Sequence, residues 1–256
     1  MGTVRSKLYE GLKLGNAGDG SGGDAAFNGS RPISRQTPGL VGVNPGATTV
    51  IEMLENVFYP AIAPIAALSF NNPIREIGAD PAYVLTWAAT KQTNNITGIT
   101  VDGNVIAPTG ASQGGTQSGD LTGTTGTYSK SMTVTDGTLS DTESATVTYL
   151  PRMFWGNTSK TAGITDADIL ALSGSELRSD RLKSYTNIGG DGEYLLFAFP
   201  SSFGTPSFVI NGLANTAFTK IRSASNFVNA EGATIVMDVW ISDNFYSSPL
   251  ASLIIN

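Results

Sequence analysis

The sequence predicts a mainly β protein, and three observations lead there. Charged residues make up 14% of the chain, against roughly 25% in an average globular domain. Thirty glycines punctuate it, and from residue 72 onward apolar side chains recur with a period of two, the strand spacing. With 256 residues the chain is longer than one typical domain, so an arm followed by two domains is the expected organisation.

The first segment, 1–47, reads as an extended N-terminal attachment arm. Arg5, Lys7, Lys13, Arg31 and Arg35 stand against Glu10, Asp19 and Asp24, a local charge of about +2 in a chain whose total is −6. Its glycine-rich centre, GNAGDGSGGDAAFNGS, holds too few large apolar residues to offset its ordering entropy. Leu8, Tyr9, Leu12, Leu14 and Phe27 are scattered through it as anchors for a partner surface.

Residues 48–71 read as a short helix and a proline-rich linker. Thr49 and Glu52 have capping-box spacing, Ile51, Leu54, Val57 and Phe58 recur at helical intervals, and Pro60 ends the pattern. The strip Thr49–Leu68 is more apolar than so short a unit can bury, which predicts a homo-oligomer in which Leu54, Val57 and Phe58 join the arm's anchors as assembly contacts.

Residues 72–150 carry the clearest strand signals. Tyr83, Leu85 and Trp87 alternate with Val84, Thr86 and Ala88. Ile96–Val101 meets Val105 and Ile106 across the turn dipeptide Asp102-Gly103, and Met132 and Val134 run into Asp136-Gly137. The window 82–150 holds 17 threonines and 7 charged residues, as expected of short strands with a hydroxyl-rich outer face. The length and turn spacing match an Ig-like β-sandwich without its disulfide, with Trp87 packing on aliphatics instead.

Residues 151–256 read as a C-terminal β-rich domain with one helix. Thr165 and Asp168 form a second capping-box pair ahead of Ile169 and Leu170, which predicts a helix over Asp166–Ser173 with Gly174 as its stop. Strands are expected at Tyr194–Phe199, Ser207–Ile210, Phe218–Arg222 and Thr234–Ile241, separated by Pro and Gly turns.

The residue inventory narrows the chemistry. With no Cys and no His, disulfide scaffolds, thiol nucleophiles, Cys-based zinc sites and the usual general base are excluded. A net charge of −6 without a basic stripe argues against nucleic acid. No apolar core marks the start as a signal peptide, and Val57–Phe70 is too short and too proline-interrupted for a membrane span. Asp166/Asp168 and Asp141/Glu143 are the closest acid pairs; helix-cap duty for the first and a solvated turn for the second account for them without catalysis. Asp19 and Asp24 echo a calcium loop but lack its spacing, so no metal or cofactor is expected. Among the aromatics Phe154, Trp155, Phe203, Phe227, Trp240, Phe245 and Tyr246, core packing competes with a sugar-stacking surface.

Three stretches, taken in order, carry a resemblance: TPGLVGVNPGATTVIEMLENVFYPAIAP, PIREIGADPAYVLTWAATKQTNNITGITVDG and LLFAFPSSFGTPSFVINGL. Together, over about 38–256, they resemble a family of bacteriophage structural proteins with an Ig-like domain. The resemblance implies a non-enzymatic virion component of tail, neck, baseplate or fibre, assembled in the host bacterial cytoplasm as a symmetric oligomer with other virion proteins. It supplies no catalytic residue. A carbohydrate-binding adhesin module recognising a host-surface glycan stays open beside it, as does a carboxylate-only glycan hydrolase, which would need two acids converging in a cleft.

Overall fold

A computed structural model of the protein describes residues 61–256. The arm, the Asp19/Asp24 loop, the predicted helix at Thr49–Phe58 and all eight assembly residues lie outside the described residues. Within them, seventeen strands accompany a single α-helix, so the protein is mainly β.

The first unit is a two-sheet sandwich. Strands β1 (Ile65–Phe70), β3 (Ala82–Thr90) and β6 (Gln113–Asp120) form one sheet in the order β1-β3-β6. Strands β2 (Ile74–Glu76), β4 (Gly98–Val101), β5 (Asn104–Ile106), β7 (Gly126–Thr135) and β8 (Ser140–Leu150) form the other, ordered β2-β8-β7-β4-β5. Alternation decides which side chains face inward: Tyr83, Leu85, Trp87 and Ala89 of β3 are buried with Ile99, Val101, Met132, Val134, Val147 and Tyr149 from the facing sheet. Asp102 (φ 47°) and Gly103 (φ 78°) close the β4-β5 hairpin in left-handed backbone, as an Asp-Gly turn should.

The expected boundary at residue 72 falls too late. Residues 65–70, read from sequence as linker, are strand β1, which pairs antiparallel with β3 and places Ala66 and Phe70 in the core. The chain then crosses to the other sheet, where β2 runs parallel to β8. Arg75 fixes this crossing from a buried position. Its Nη1 donates to Asp80 O and Ala82 O, both at 2.7 Å, and its Nε to Asn72 O at 3.2 Å. A fragment spanning 61–150 is therefore expected to melt cooperatively, whereas one starting at residue 72 should lose at least about 3 kcal/mol with the burial of Phe70 and Ala66; circular dichroism melts of the two would show the difference.

Only Pro151 separates β8 from β9 (Arg152–Thr158), so the second unit starts as a near-continuation of the first. Strands β9, β10 (Gly174–Leu177), β12 (Tyr194–Pro200), β15 (Phe218–Val228) and β16 (Thr234–Ser242) form a five-stranded antiparallel sheet in the order β10-β9-β12-β16-β15. Strands β11 (Lys183–Tyr185), β13 (Phe208–Ile210), β14 (Leu213–Asn215) and β17 (Leu253–Ile255) make a smaller sheet, β11-β17-β13-β14. Strand β12 is buried on both faces. Leu195, Phe197 and Phe199 pack toward the smaller sheet with Tyr185, Phe208, Leu253 and Ile255, and Leu196 and Ala198 pack toward Ile164, Ile169 and Phe227. A central strand of this kind reads as a continuous apolar run rather than an alternation.

Helix α1 covers Asp166–Leu170, shorter than the predicted Asp166–Ser173. Its start is as expected: Asp168 N donates to Thr165 Oγ1 at 3.3 Å and Thr165 N donates to Asp168 Oδ2 at 2.8 Å, a reciprocal capping box. Its end is not, because Gly174 opens strand β10 instead of stopping the helix. There Gly174 lies opposite Trp155, and a Cβ on it would sit 2.1 Å from the indole Nε1, so only glycine admits the ring.

A polar clasp ties the two units. Buried Glu76, at the end of β2, receives Arg152 Nε at 2.8 Å and Asn229 Nδ2 at 3.2 Å. Asn229, itself buried, also donates to Ile77 O at 2.7 Å and accepts from Ala233 N at 2.7 Å. Ile77 packs against the cores of both units.

Candidate functional site

A cleft of about 660 Å³ opens in the second unit, between β9 and the segment running from β11 to β12. Its outer wall is dictated by sequence. In TNIGGDGE, Asn187 (φ 53°), Gly189 (83°), Gly190 (109°), Asp191 (61°) and Gly192 (73°) are all left-handed. Gly, Asn and Asp are the residues that adopt this backbone most readily. The turn is fastened from both sides. Asn157 Nδ2 donates to Gly190 O at 3.3 Å, Gly192 N donates to Tyr246 O at 3.0 Å, and Tyr246 N donates to Glu193 O at 2.9 Å.

Trp155 and Asn157 of β9 form the opposite wall, with Ser173, Ser184 and Thr186 contributing hydroxyls and Asp191 and Glu193 the carboxylates. No Lys or Arg lines the cleft. The Trp155 indole is held in place by Lys183 Nζ, 4.6 Å from its ring centre, and by Tyr185, whose ring meets it edge-on at 5.3 Å. Lys183 is itself tethered to Glu176 at 2.5 Å, and that ion pair holds the Glu176 carboxyl below its ordinary range. Tyr185 Oη is buried without a hydrogen-bond partner among the described residues, and burial pushes its phenol well above the usual value.

The other aromatics divide by burial. Phe154 and Phe227 are core, meeting edge-on at 5.5 Å. Trp240 packs on Phe208 beneath Lys220, with its Nε1 buried and without a partner among the described residues. Phe203 and Tyr246 are partly buried against the core, and Phe245 is 60% exposed. Of the candidates for sugar stacking, Trp155 is the one that lines the cleft.

Three of the four acids singled out from the sequence, Asp141, Asp166 and Asp168, act as fasteners. Asp168 completes the helix cap and meets Lys160 at 2.5 Å. Asp166 accepts from Arg222 Nη1 at 2.8 Å and Val228 N at 3.0 Å, pinning α1 to β15. Asp141 and Glu143 do not lie in a turn: both are on β8, where Asp141 accepts from Ala66 N at 2.8 Å and so anchors β1, while Glu143 is exposed. The expectation of a solvated turn failed because β8 runs to eleven residues, its polar half extending beyond the apolar alternation near Val147 and Tyr149.

Asp238 is a carboxylate with no local sequence signal to single it out. Buried in β16, it accepts from Ser201 Oγ at 2.8 Å, Ala224 N at 2.7 Å and Lys220 Nζ at 2.8 Å, and so holds the bulge of β15 where Ala224 is left-handed (φ 44°). Burial pushes Asp238 upward, but the bonds from Ala224, Lys220 and Ser201 outweigh it and keep the carboxyl below its usual range. Asp136 is likewise lowered, chiefly by the Leu139 and Thr138 N–H groups and by Asn94. A carboxyl lowered in the fold adds stability above its unfolded value, near 3.8, and that stability is lost as pH falls through the folded value. With no histidine in the chain, stability should be level from about pH 8 to about pH 5 and fall below about pH 4; melting scans across pH would check this.

Among the described residues no group of three or more His, Cys, Asp or Glu is placed to hold a metal ion, and no helix is long and apolar enough to cross a membrane. Set against protein-family models, curated proteins and solved structures, the chain matches none of them.

Proposed function

We propose that the chain is a non-enzymatic structural component of a bacteriophage particle, in the tail, neck, baseplate or fibre, with other virion proteins and further copies of itself as partners. The observation that carries this reading is the coupling of the two β units. Joined through Pro151 alone and clasped by Glu76, Arg152 and Asn229, they make a stiff body suited to bearing and displaying surfaces. The employment of Asp141, Asp166 and Asp168 in fastening strands and a helix supports it further.

In this reading 61–150 is an immunoglobulin-like sandwich. What supports that is the division of its leading segment between the sheets, β1 beside β3 and β2 parallel to β8, over a two-sheet core without a disulfide. The arm at 1–47 is the attachment element and host cytoplasm the place of assembly.

Removal of residues 1–47 tests the reading. The expected outcome is an unchanged melting temperature with loss of incorporation into particles. A collapsed melt would place those residues in the folded core, and full incorporation would remove the attachment role.

A further inference from the structure

The cleft beside Trp155 has a lining that the particle role leaves unused, and we propose that it binds a neutral saccharide. Its volume of about 660 Å³ falls within the roughly 300–1,000 Å³ of small-ligand sites, but its surface is unlike that of a pocket for an apolar ligand. The amides of Asn157 and Asn187 and the hydroxyls of Ser173 and Ser184 offer both donors and acceptors around its rim. Asp191 and Glu193 add two carboxylates, which accept charge-assisted hydrogen bonds from ligand hydroxyls. Trp155, whose ring also meets Lys183 and Gly174, contributes the part of its indole that lines the cleft as the apolar contact for a sugar's C–H groups.

Charge selects within this class. Two acids line the cleft with no Lys or Arg, and Lys183 above Trp155 is already paired with Glu176, so a phosphorylated or carboxylated sugar is disfavoured. Rigidity favours binding as well: the left-handed turn Asn187–Gly192 is set by its residue types and fastened by Asn157 and Tyr246, so little ordering remains to be done when a ligand enters.

The experiment is calorimetric titration of the full-length protein, with tryptophan emission followed in parallel, using maltotriose, cellotriose and triacetylchitotriose as neutral probes and sialyllactose and calcium chloride as controls. At least one neutral trisaccharide should bind with one site per chain, bind more tightly than sialyllactose, and perturb the emission. Asp191→Asn, which retains a side chain tolerant of left-handed backbone, and Glu193→Gln should each weaken that binding by about tenfold or more with unchanged melting. Absence of binding by all three neutral probes, binding that both variants leave intact, or binding by calcium chloride alone would overturn the proposal. Binding to a protein absent from particles would uphold the cleft and defeat only the particle role, so the two proposals fail separately.

Discussion

Replacing Phe197 with alanine is expected to lower stability by about 3–5 kcal/mol, the largest single effect in the second unit. The side chain is fully buried at the middle of β12, with its ring centre 5.5 Å from that of Tyr185, 5.6 Å from Phe208 and 6.0 Å from Phe218. These partners come from β11, β13 and β15, so truncation leaves a cavity that no single neighbour can close. For a unit of this size the loss amounts to a fall of roughly 10 °C or more in the melting transition. Where the joint between the units is opened by Glu76→Ala, calorimetry should place that fall in the second unit's own step, with the secondary structure of the remaining protein intact at room temperature.

The second large effect concerns the joint. Glu76→Ala removes the acceptor shared by Arg152 and Asn229, and about 2 kcal/mol of stability should go with it. The loss is smaller than for a fully buried ion pair because the Arg152 side chain is 30% exposed and regains water. More diagnostic is the shape of the transition. With the clasp intact the two units should unfold together; without it, calorimetry should resolve two steps, since Ile77 and Pro151 remain as the principal ties. A single unshifted transition would mean that the Asn229–Ile77 hydrogen bond and the packing of Ile77 couple the units without Glu76.

Much of the fold was legible wherever local chemistry decides it. Alternation in β3, the Asp102-Gly103 hairpin and the Thr165/Asp168 capping box all stand as their residues indicate. The misses share a cause that lies outside the local window. Strand β6, QGGTQSGD, has no apolar residue at all, yet Gly115 lies opposite Trp87 and Gly119 opposite Tyr83. A Cβ would come within 3.0 Å of the Trp87 ring or 2.9 Å of Tyr83 Oη, so these glycines make room for aromatic rings carried by β3. Gly174 and Trp155 repeat the device at the edge strand β10. Strand β1 escaped for a related reason: its buried residues are Ala66 and Phe70, with outward Ile65 and Ala67 as apolar as the inward set, so period two is not visible.

The candidate site was half legible. The run Asn187–Gly192 announces a turn from its composition, and Trp155 could be singled out as an aromatic of interest. That the two face each other across a cleft follows from the placement of β9 and β11 in different sheets, which no local pattern encodes.

Quantitative mass spectrometry of purified particles tests whether this chain is a structural part of a bacteriophage particle. The chain is expected in the particle fraction, in a fixed copy number that is a multiple expected of a symmetric oligomer. Its recovery only in the soluble fraction of the lysed host, with none in washed particles, would rule out a structural role in the particle.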